Sequence, residues 1–414
     1  MKTIFLSMLT IAALASCTRQ DFIDPPGPTP LEGEEMVVNI TLSTGEKTKA
    51  AGVPTGTDEK TLNDITVFFL NDAGQIITKE YVAGTRLGDA AGEGVDPNAK
   101  KVTLTTRTTA QKIMVIANIG EERVSTGKPL SVGTKAQLMK VVQDLAVSDG
   151  AQQPTMIPFN KKNKVLMSGE GTVVDMTSGA DGTATATATV GLNYIPAKIT
   201  LAKISAGDNL KGEIVTNFKF VRAFLLKAQT KSYYFPDAVN SKYVADAPAF
   251  ANGVIDSWAE TPSGLPIIPD FEYQFSSVSD FGTAKPLENL AHWYVFENFP
   301  VDNKPTSNPT ILAVEVSWME VAPGTVDEEG HDIPEKWTTK MFNVAFAPGD
   351  KGVIEAGKAY NVELTFNGNF LPAGSGGNGG GGDEDPETPN TNANVTVTVT
   401  PANWDGQTIP KPFE

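Results

Sequence analysis

Strict alternation of apolar and polar side chains is the clearest pattern in this chain. Residues 36–43 place a buried-type side chain at every second position, namely Met36, Val38, Ile40 and Leu42. Residues 394–400 repeat the pattern near the end, where Val395, Val397 and Val399 are separated by threonines. A period of two residues is typical of a β-strand that buries one face. We therefore predict one such strand near each end of the chain.

The chain between these segments is dominated by short β-rich runs bounded by Gly, Asn and Asp. Strands are predicted at 65–70, 102–106, 113–119, 197–204, 218–226, 293–297, 310–318, 340–345 and 360–366. The alternating Thr and Ala of 181–190 predict a weak or edge strand. One helix is predicted from Thr134 onwards, by the helical spacing of Leu138, Val141, Val142 and Leu145. Many short strands with a single helix favour an all-β fold built of sandwiches.

Segments of biased composition divide the chain into parts. Residues 18–35 are rich in Pro, Asp and Glu and predict a tether, whereas 45–52 are small and charged and predict an exposed loop that a protease can cut after a basic residue. Residues 374–382 are almost entirely Gly, and acidic residues follow them, which predicts a flexible linker. A new alternating strand begins after Asn193, where we place a domain boundary.

An apolar run at residues 4–15 predicts export. The run is too short to span a bilayer, which needs about 20 residues, and it has the form of a signal peptide. It ends in Leu14-Ala15-Ser16-Cys17, which resembles the lipobox of bacterial lipoproteins, in which the thiol is acylated. Cys17 is the only cysteine of the sequence, and the alternative is an ordinary secretory signal in which it is incidental. The mature chain then depends on burial and sheet hydrogen bonds rather than on disulfides.

Charge and motifs exclude several classes of function. The net charge of −16 repels phosphate backbones, so we expect no nucleic-acid partner. The sequence contains no HExxH, CxxC or GxSxG motif, and its two histidines, His292 and His331, are far apart. We therefore predict no catalytic residue, no bound metal and no cofactor. The acidic residues 383–387 are better explained as a solvated linker than as a weak Ca²⁺ site.

The two terminal strands together suggest assembly between subunits. The strand at 394–400 follows a flexible linker and has no core of its own, and an exposed β-branched strand is an aggregation liability. The strand at 36–43 is separated from the body by the cuttable loop. We predict that proteolysis removes the first strand and that the last strand of a neighbouring subunit fills the groove, a contact that propagates into filaments. Trp404 either packs into the neighbouring subunit that accepts this strand or stays exposed. The alternative is that the C-terminal strand folds back onto its own domain.

The chain resembles the Bacteroidales fimbrillins, the type V pilin family. The resemblance extends over essentially the whole chain, and the order and spacing of weak motifs carry it. These motifs are the lipobox 14–17, the strand 36–43, the Lys-rich loop before Ala50, and the segments 113–118, 166–169, 195–201, 294–298 and 360–364.

The resemblance implies an all-β fold with few short helices, made of two tandem transthyretin-like β-sandwich domains plus a C-terminal donor strand. It divides the chain into a lipoprotein signal peptide (1–17), a propeptide with the removable strand (18–49), two sandwiches (50–193 and 194–371), a linker (372–392) and a donor-strand tail (393–414). It also implies an outer-membrane lipoprotein precursor with Cys17 acylated. Donor-strand residues are then Val395, Val397, Val399 and Trp404.

The resemblance further implies removal of the N-terminal strand by a trypsin-like protease, followed by polymerisation with other copies and with minor fimbrial subunits at the cell surface. Family members are often cut after Arg, whereas the loop here offers only Lys47 and Lys49. We place the cut between Lys49 and Ala50. A subunit with both a cuttable strand and a donor strand is expected to belong to the shaft and to support adhesion or biofilm formation.

Two other functions stay open as alternatives. A surface lipoprotein that binds a glycan or a host protein would use loop aromatics such as Tyr233, Tyr234 and Trp258, and it would keep its lipid. The second alternative is a minor subunit at the tip or at the anchor of the fimbria. A secreted hydrolase is disfavoured because no catalytic motif is present.

Overall fold

The protein is described by a computed structural model. The described residues are 33–44, 57–90, 98–121, 128, 130–144, 146–147, 155–156, 164–179, 183–206, 219–235, 250–253, 265–275, 287–298, 310–345, 354–366 and 395–403.

Strands make up most of the described chain, and the helical elements are short. The first half contains β1 (Glu35–Thr44), β2 (Asp64–Leu70), β3 (Ile76–Ala83), β4 (Gly88–Asp89), β5 (Lys100–Arg107), β6 (Lys112–Ala117), β7 (Val142–Asp144), β8 (Ala146–Val147), β9 (Thr155–Met156), β10 (Met167–Ser178) and β11 (Ala184–Tyr194). Helical turns occur at Thr57–Lys60, Gly84–Arg86, Lys135–Leu138 (α1) and Pro269–Phe271.

The second half contains a similar number of strands. They are β12 (Ala197–Ala206), β13 (Lys219–Leu226), β14 (Ala228–Gln229), β15 (Lys231–Tyr233), β16 (Phe250–Ala251), β17 (Glu272–Gln274), β18 (Leu287–Val295), β19 (Ile311–Val321), β20 (Lys336–Ala345), β21 (Lys358–Phe366) and β22 (Val395–Asn403). The prediction of an all-β fold with few short helices is confirmed.

Eight strands of the first half form one large sheet that curls around its own core. Their order is β3-β2-β6-β10-β11-β1-β5-β4. The hydroxyls of Thr78 on β3 and Thr106 on β5 nevertheless lie 2.9 Å apart, so strands that are distant in the sheet order meet in space. Apolar side chains from β2 and β6, such as Val67 and Val115, join those of β1 in one buried cluster. The result is a sandwich made by a single folded sheet.

Two glycines on β10 allow the close approach of β10 and β11. A Cβ added at Gly169 would lie 2.1 Å from the carbonyl oxygen of Gly191, and one at Gly171 would lie 2.6 Å from the carbonyl oxygen of Thr189. Real Cβ atoms do not come this close to backbone, so only glycine fits both positions. A register shift between Val174 and Thr177 then bends the same strand further along.

The second half forms a sandwich of two four-stranded sheets. One sheet has the order β18-β12-β21-β22 and the other has the order β17-β13-β19-β20. Side chains from both sheets, among them Leu201, Val362, Leu225 and Val314, belong to one buried cluster. Facing apolar rows from two sheets are the usual core of a β-sandwich.

The two halves are in contact through a shared core and one strand pair. The cluster that fills the second sandwich also contains Phe68 and Ile116 from the first half, and β15 pairs with β7 in an antiparallel ladder. The first large sheet ends at Tyr194 and the next strand begins at Ala197, close to the predicted boundary at 193. The division into independent domains 50–193 and 194–371 stays a prediction.

One secondary-structure prediction is wrong over most of its length. The helix predicted over 134–145 exists only as Lys135–Leu138, capped by the Thr134 hydroxyl, which accepts a hydrogen bond from the Gln137 amide. Val142 instead lies in β7, opposite Tyr233. A β-branched residue and an available strand partner outweigh the helical spacing there.

Candidate functional site

The candidate site is the position of β1 in the first sheet. β1 lies in the interior of the sheet, parallel to β11 and antiparallel to β5. Its register runs from Met36 opposite Ala184 to Thr44 opposite Leu192 on one side. On the other side it runs from Glu35 opposite Arg107 to Leu42 opposite Lys100. Both edges of β1 are therefore hydrogen-bonded, and its loss would open two strand edges at once.

The inward face of β1 is fully buried. Met36, Val38, Ile40 and Leu42 are each no more than 1% exposed. Side chains of this size contribute about 1.5–3 kcal/mol each when fully buried, so the four together contribute on the order of 6–12 kcal/mol as an upper estimate. The predicted alternation of buried and exposed positions is thus present. The role of these residues as a removable strand stays a prediction.

β11 provides a wall of small side chains beside β1. In the parallel register, Met36 lies next to Ala184, Val38 next to Ala186, and Ile40 next to Ala188. These alanines are 2% exposed, and their small side chains leave room for the larger ones of β1. The prediction that 181–190 is a weak or edge strand is therefore wrong about its place, because β11 lies between β10 and β1 in the sheet.

The residue before β1 is hydrogen-bonded to the residue after β5. The Glu34 amide donates to the hydroxyl of Thr108 at 3.1 Å, and the Thr108 amide donates to the Glu34 carbonyl at 2.9 Å. On the exposed face of the sheet, the Thr103 hydroxyl donates to the Asn39 side-chain oxygen at 2.8 Å. Polar contacts thus align β1 from its start, while apolar contacts hold its inward face.

The C-terminal strand lies at the edge of another sheet of the same chain. β22 pairs antiparallel with β21, from Lys358 opposite Asn403 to Phe366 opposite Val395. Val397 is opposite Leu364 and Val399 is opposite Val362, and both partners on β21 are fully buried. The alternative in which the C-terminal strand folds back onto its own domain is thus the arrangement of this chain.

Several predicted site residues lie outside the described part of the chain. These are Cys17, Lys49, Ala50 and Trp404, together with the aromatic Trp258. Their predicted roles in lipidation, processing, donor-strand anchoring and ligand binding remain predictions.

A buried ion pair lies just after the loop that is predicted to be cut. Glu59, in the turn Thr57–Lys60, is fully buried, and its carboxylate is 2.5 Å from the Lys198 ammonium on β12. The Tyr294 hydroxyl on β18 donates to the same carboxylate oxygen at 2.8 Å. This cluster joins the start of the first sandwich to two strands of the second. Sequence reasoning missed it, because its members are 139 and 235 positions apart and no local pattern connects them.

A second buried charge cluster lies on the sheet of β13, β17 and β19. The Arg222 guanidinium contacts the carboxylate of Glu315, and it lies 3.5 Å from the carboxylate of Glu272. Phe224 lies under the same guanidinium, with its ring centroid 5.5 Å away. The charges of this cluster are largely paired with each other, which is what burial requires of charged groups.

The aromatic residues named for a ligand-binding function do not form one exposed surface. Tyr234 is fully buried in the core, and its hydroxyl donates to the Gln143 side-chain oxygen. Tyr233 is half-buried and pairs with Val142 across the β7–β15 ladder. The described aromatics of this set therefore serve the contact between the two halves.

The described residues bring together one group of metal-type ligands. Asp327, Glu329 and His331 lie in the loop between β19 and β20 with their ligand atoms within 4.8 Å of one another. Glu329 and His331 are exposed and Asp327 is half-buried, and the His331 ring nitrogen is 3.2 Å from the Asp327 carboxylate. The other histidine, His292, lies on β18 with its ring against Tyr294. The two histidines therefore do not share a site.

Within the described ranges, no helix combines the length and the apolar character that crossing a membrane requires.

Comparison with known proteins identifies relatives of both halves. Residues 196–404, half of the chain, match a family model described as the C-terminal domain of FimA-like major fimbrial subunit proteins. No curated protein matches the chain. A solved candidate cell adhesion protein from Bacteroides eggerthii is 25% identical, with a TM-score of 0.62 over 91% of this chain and 98% of that one.

Two further solved structures share the fold at lower identity. A fimbrilin (FimA) from Porphyromonas gingivalis is 16% identical, with a TM-score of 0.53, and the match covers 89% of this chain and 97% of that one. A candidate cell adhesion protein from Parabacteroides distasonis is 15% identical, with a TM-score of 0.54 over 90% and 99% of the two chains. Both show that the arrangement of strands seen here extends through the whole length of those proteins.

Proposed function

The chain belongs to the FimA-like major fimbrial subunit family, and we propose that it is a shaft subunit that polymerises by donor-strand exchange. Members of this family are structural proteins of cell-surface fimbriae that assemble with other fimbrial subunits. In the proposed exchange, β1 is removed by proteolysis and β22 of a neighbouring subunit takes its place.

The observation that carries the proposal is the interior position of β1. Ten residues near the N-terminus, Glu35–Thr44, fill a place between β11 and β5 and bury four large apolar side chains. Removing them leaves a groove with an apolar floor and unpaired backbone groups on both sides. Such a groove binds an extended segment by adding backbone hydrogen bonds and by accepting alternate side chains.

The C-terminal strand has the chemistry that this groove needs. Val395, Val397 and Val399 alternate with threonines, as the buried residues of β1 alternate with Asn39 and Thr41. At its own edge position β22 has one ladder among the described strands, with β21. Transfer into the groove would replace that ladder with two, and each added backbone hydrogen bond contributes about 0.5–1.5 kcal/mol net. Exchange between subunits is therefore favoured once the groove is empty.

Export and processing complete the proposed pathway. Cys17 is acylated and anchors the precursor in the outer membrane, and a trypsin-like protease cuts between Lys49 and Ala50. The donor of one subunit and the acceptor groove of the next are different surfaces, so each addition leaves a free end for the next subunit. The fibre that results supports adhesion or biofilm formation.

The C-terminal strand provides the direct test. Deleting residues 394–414 should leave a folded monomer that is processed but forms no fibres, as seen by electron microscopy of cell surfaces. Val397→Asp with Val399→Asp should have the same effect, whereas Thr396→Ser with Thr398→Ser, on the alternate positions, should leave fibres intact. Fibres of normal length from the deletion would disprove strand exchange.

Processing distinguishes this proposal from the surface lipoprotein and from an anchor subunit. N-terminal sequencing of the surface-exposed form should begin at Ala50 for a shaft subunit. An acylated Cys17 in the mature form would support the lipoprotein or the anchor instead.

A further inference from the structure

The contacts that hold β1 are independent of the bond that is predicted to be cut. The ladder of β1 with β11 ends at Thr44, opposite Leu192, and its ladder with β5 ends at Leu42, opposite Lys100. The bond between Lys49 and Ala50 lies beyond both ends. Hydrolysis of that bond therefore removes no ladder hydrogen bond and exposes no buried side chain of β1.

We propose that the cut strand stays in its groove as a tightly bound peptide, and that its departure, not the cleavage, decides when a subunit accepts a donor strand. This inference rests on the proposed function, because it concerns the same groove. The partner it assigns to the groove is a free extended peptide with the sequence of residues 35–44.

The side chains of β1 fill the groove better than those of the donor strand do. β1 inserts Met36, Val38, Ile40 and Leu42, which are all buried to within 1%. β22 offers three valines in its regular part, followed by Pro401. The three valines can be aligned with the first three or with the last three of these four positions. In either register, two larger side chains of β1 are replaced by valine, and one position receives no valine.

The difference in side chains predicts a difference in affinity. Each buried methylene changes affinity by roughly 4-fold, so replacing two larger side chains by valine makes the donor at least about 10-fold weaker for equal strand length. Pro401 adds to the deficit, because proline has no amide hydrogen to donate to a neighbouring strand. The released strand is thus a competitor of the donor.

The small side chains of β11 explain why the groove prefers bulky residues. Ala184, Ala186 and Ala188 stand beside Met36, Val38 and Ile40. Valine in place of Met36 or Ile40 leaves unfilled volume beside Ala184 or Ala188, and unfilled volume in a core is destabilising. The groove is complementary to the propeptide strand in shape as well as in polarity.

Competition between peptides tests the inference. The unprocessed chain without its signal peptide, residues 18–414, with a specific protease site placed at residues 47–50, is cut and passed through gel filtration, and mass spectrometry detects any retained fragment. Fibre growth is then followed by light scattering after the fragment is stripped with mild denaturant and the protein is returned to buffer. Three synthetic peptides are added: residues 35–44, the same peptide with Met36→Val, Ile40→Val and Leu42→Val, and the same peptide with Asn39→Thr.

We expect the fragment to co-elute with the cut protein, and fibre growth to begin only after stripping. Peptide 35–44 and its Asn39→Thr variant should block growth at a concentration at least about 10-fold lower than the triple valine variant needs. Loss of the fragment during gel filtration, or equal potency of the native and triple valine peptides, would overturn this inference and leave strand exchange standing. Failure of the stripped, refolded protein to form fibres without peptide would instead count against the proposed function.

Discussion

The buried pair of Glu59 and Lys198 offers the sharpest test of how the two halves are joined. The substitution is Lys198→Met, which keeps most of the aliphatic side chain and removes the charge. Glu59 is fully buried, and the Lys198 side chain is 9% exposed. The variant therefore leaves a carboxylate in the interior without its cation, with the Tyr294 hydroxyl still donating to it.

The expected cost follows from burial and not from the distance. Breaking a buried pair by removing one partner costs about 3–5 kcal/mol, because the remaining charge is uncompensated. Domains have a total stability of about 5–15 kcal/mol, so this loss is large. Tyr294→Phe removes one hydrogen bond to a charged group and should cost less, about 1.5–3 kcal/mol. The double variant Glu59→Gln with Lys198→Met removes both charges and should recover much of the loss.

A matched control is present in the same protein. Lys100 and Asp89 are also 2.5 Å apart, but the Asp89 side chain is 82% exposed. Exposed pairs of this kind contribute little to stability. Urea and thermal unfolding of the precursor should therefore show a large decrease in midpoint for Lys198→Met and a barely measurable one for Lys100→Met. Equal effects of the two substitutions would show that burial of Glu59 is not the source of the stabilisation.

Two further substitutions test the fold and its electrostatics. Gly169→Ala should prevent accumulation of soluble precursor, because the added Cβ would lie 2.1 Å from the Gly191 carbonyl oxygen. Gly191→Ala should be tolerated, because its added Cβ would have no neighbour closer than 4.0 Å. Equal expression of the two variants would contradict the close approach of β10 and β11. Burial raises the pKa of the Asp64 carboxyl above its ordinary value of 3.8, although the Ile119 and Gly120 amides donate to it. Folded protein then holds this proton more tightly than unfolded protein does, so the contribution of Asp64 to stability falls as pH rises through the range just above 3.8. Asp64→Asn should flatten that part of the curve of unfolding free energy against pH, and an unchanged slope would mean that Asp64 does not titrate in this way.

The sequence predicted the individual strands far better than their places in the sheets. The alternation in residues 36–43 predicted β1 correctly, since period 2 is a local property of the chain. The same pattern could not show that β1 lies between β11 and β5, which are more than 50 residues away. β3 and most of β10 were not predicted at all. In β10 the glycines that hide the strand pattern are the residues that let it approach β11.

Other misses share one physical cause, the dominance of tertiary contacts over local pattern. The Thr and Ala alternation of β11 has low apolar content, which favours an edge position on local grounds. Its alanines are buried because β1 supplies the bulk that they lack. Small and large residues in neighbouring strands compensate each other, and a single strand read alone cannot show that. The cluster of Glu59, Lys198 and Tyr294 could not be predicted from the sequence for the same reason.

The positions of β1 and β22 together explain how a precursor can be stable and still be prepared for assembly. β1 has a ladder on each side and a fully buried face, so the intact chain has no open groove. β22 lies at a sheet edge, with one ladder among the described strands, so it is the strand that costs less to detach. In the proposed pathway, cleavage changes no ladder of β1, but it converts an intramolecular strand into a separate, tightly bound peptide that can leave the groove. We expect that a donor strand with smaller side chains cannot displace β1 while β1 remains part of the same chain, so in the proposed pathway release of β1 must precede the addition of a donor strand.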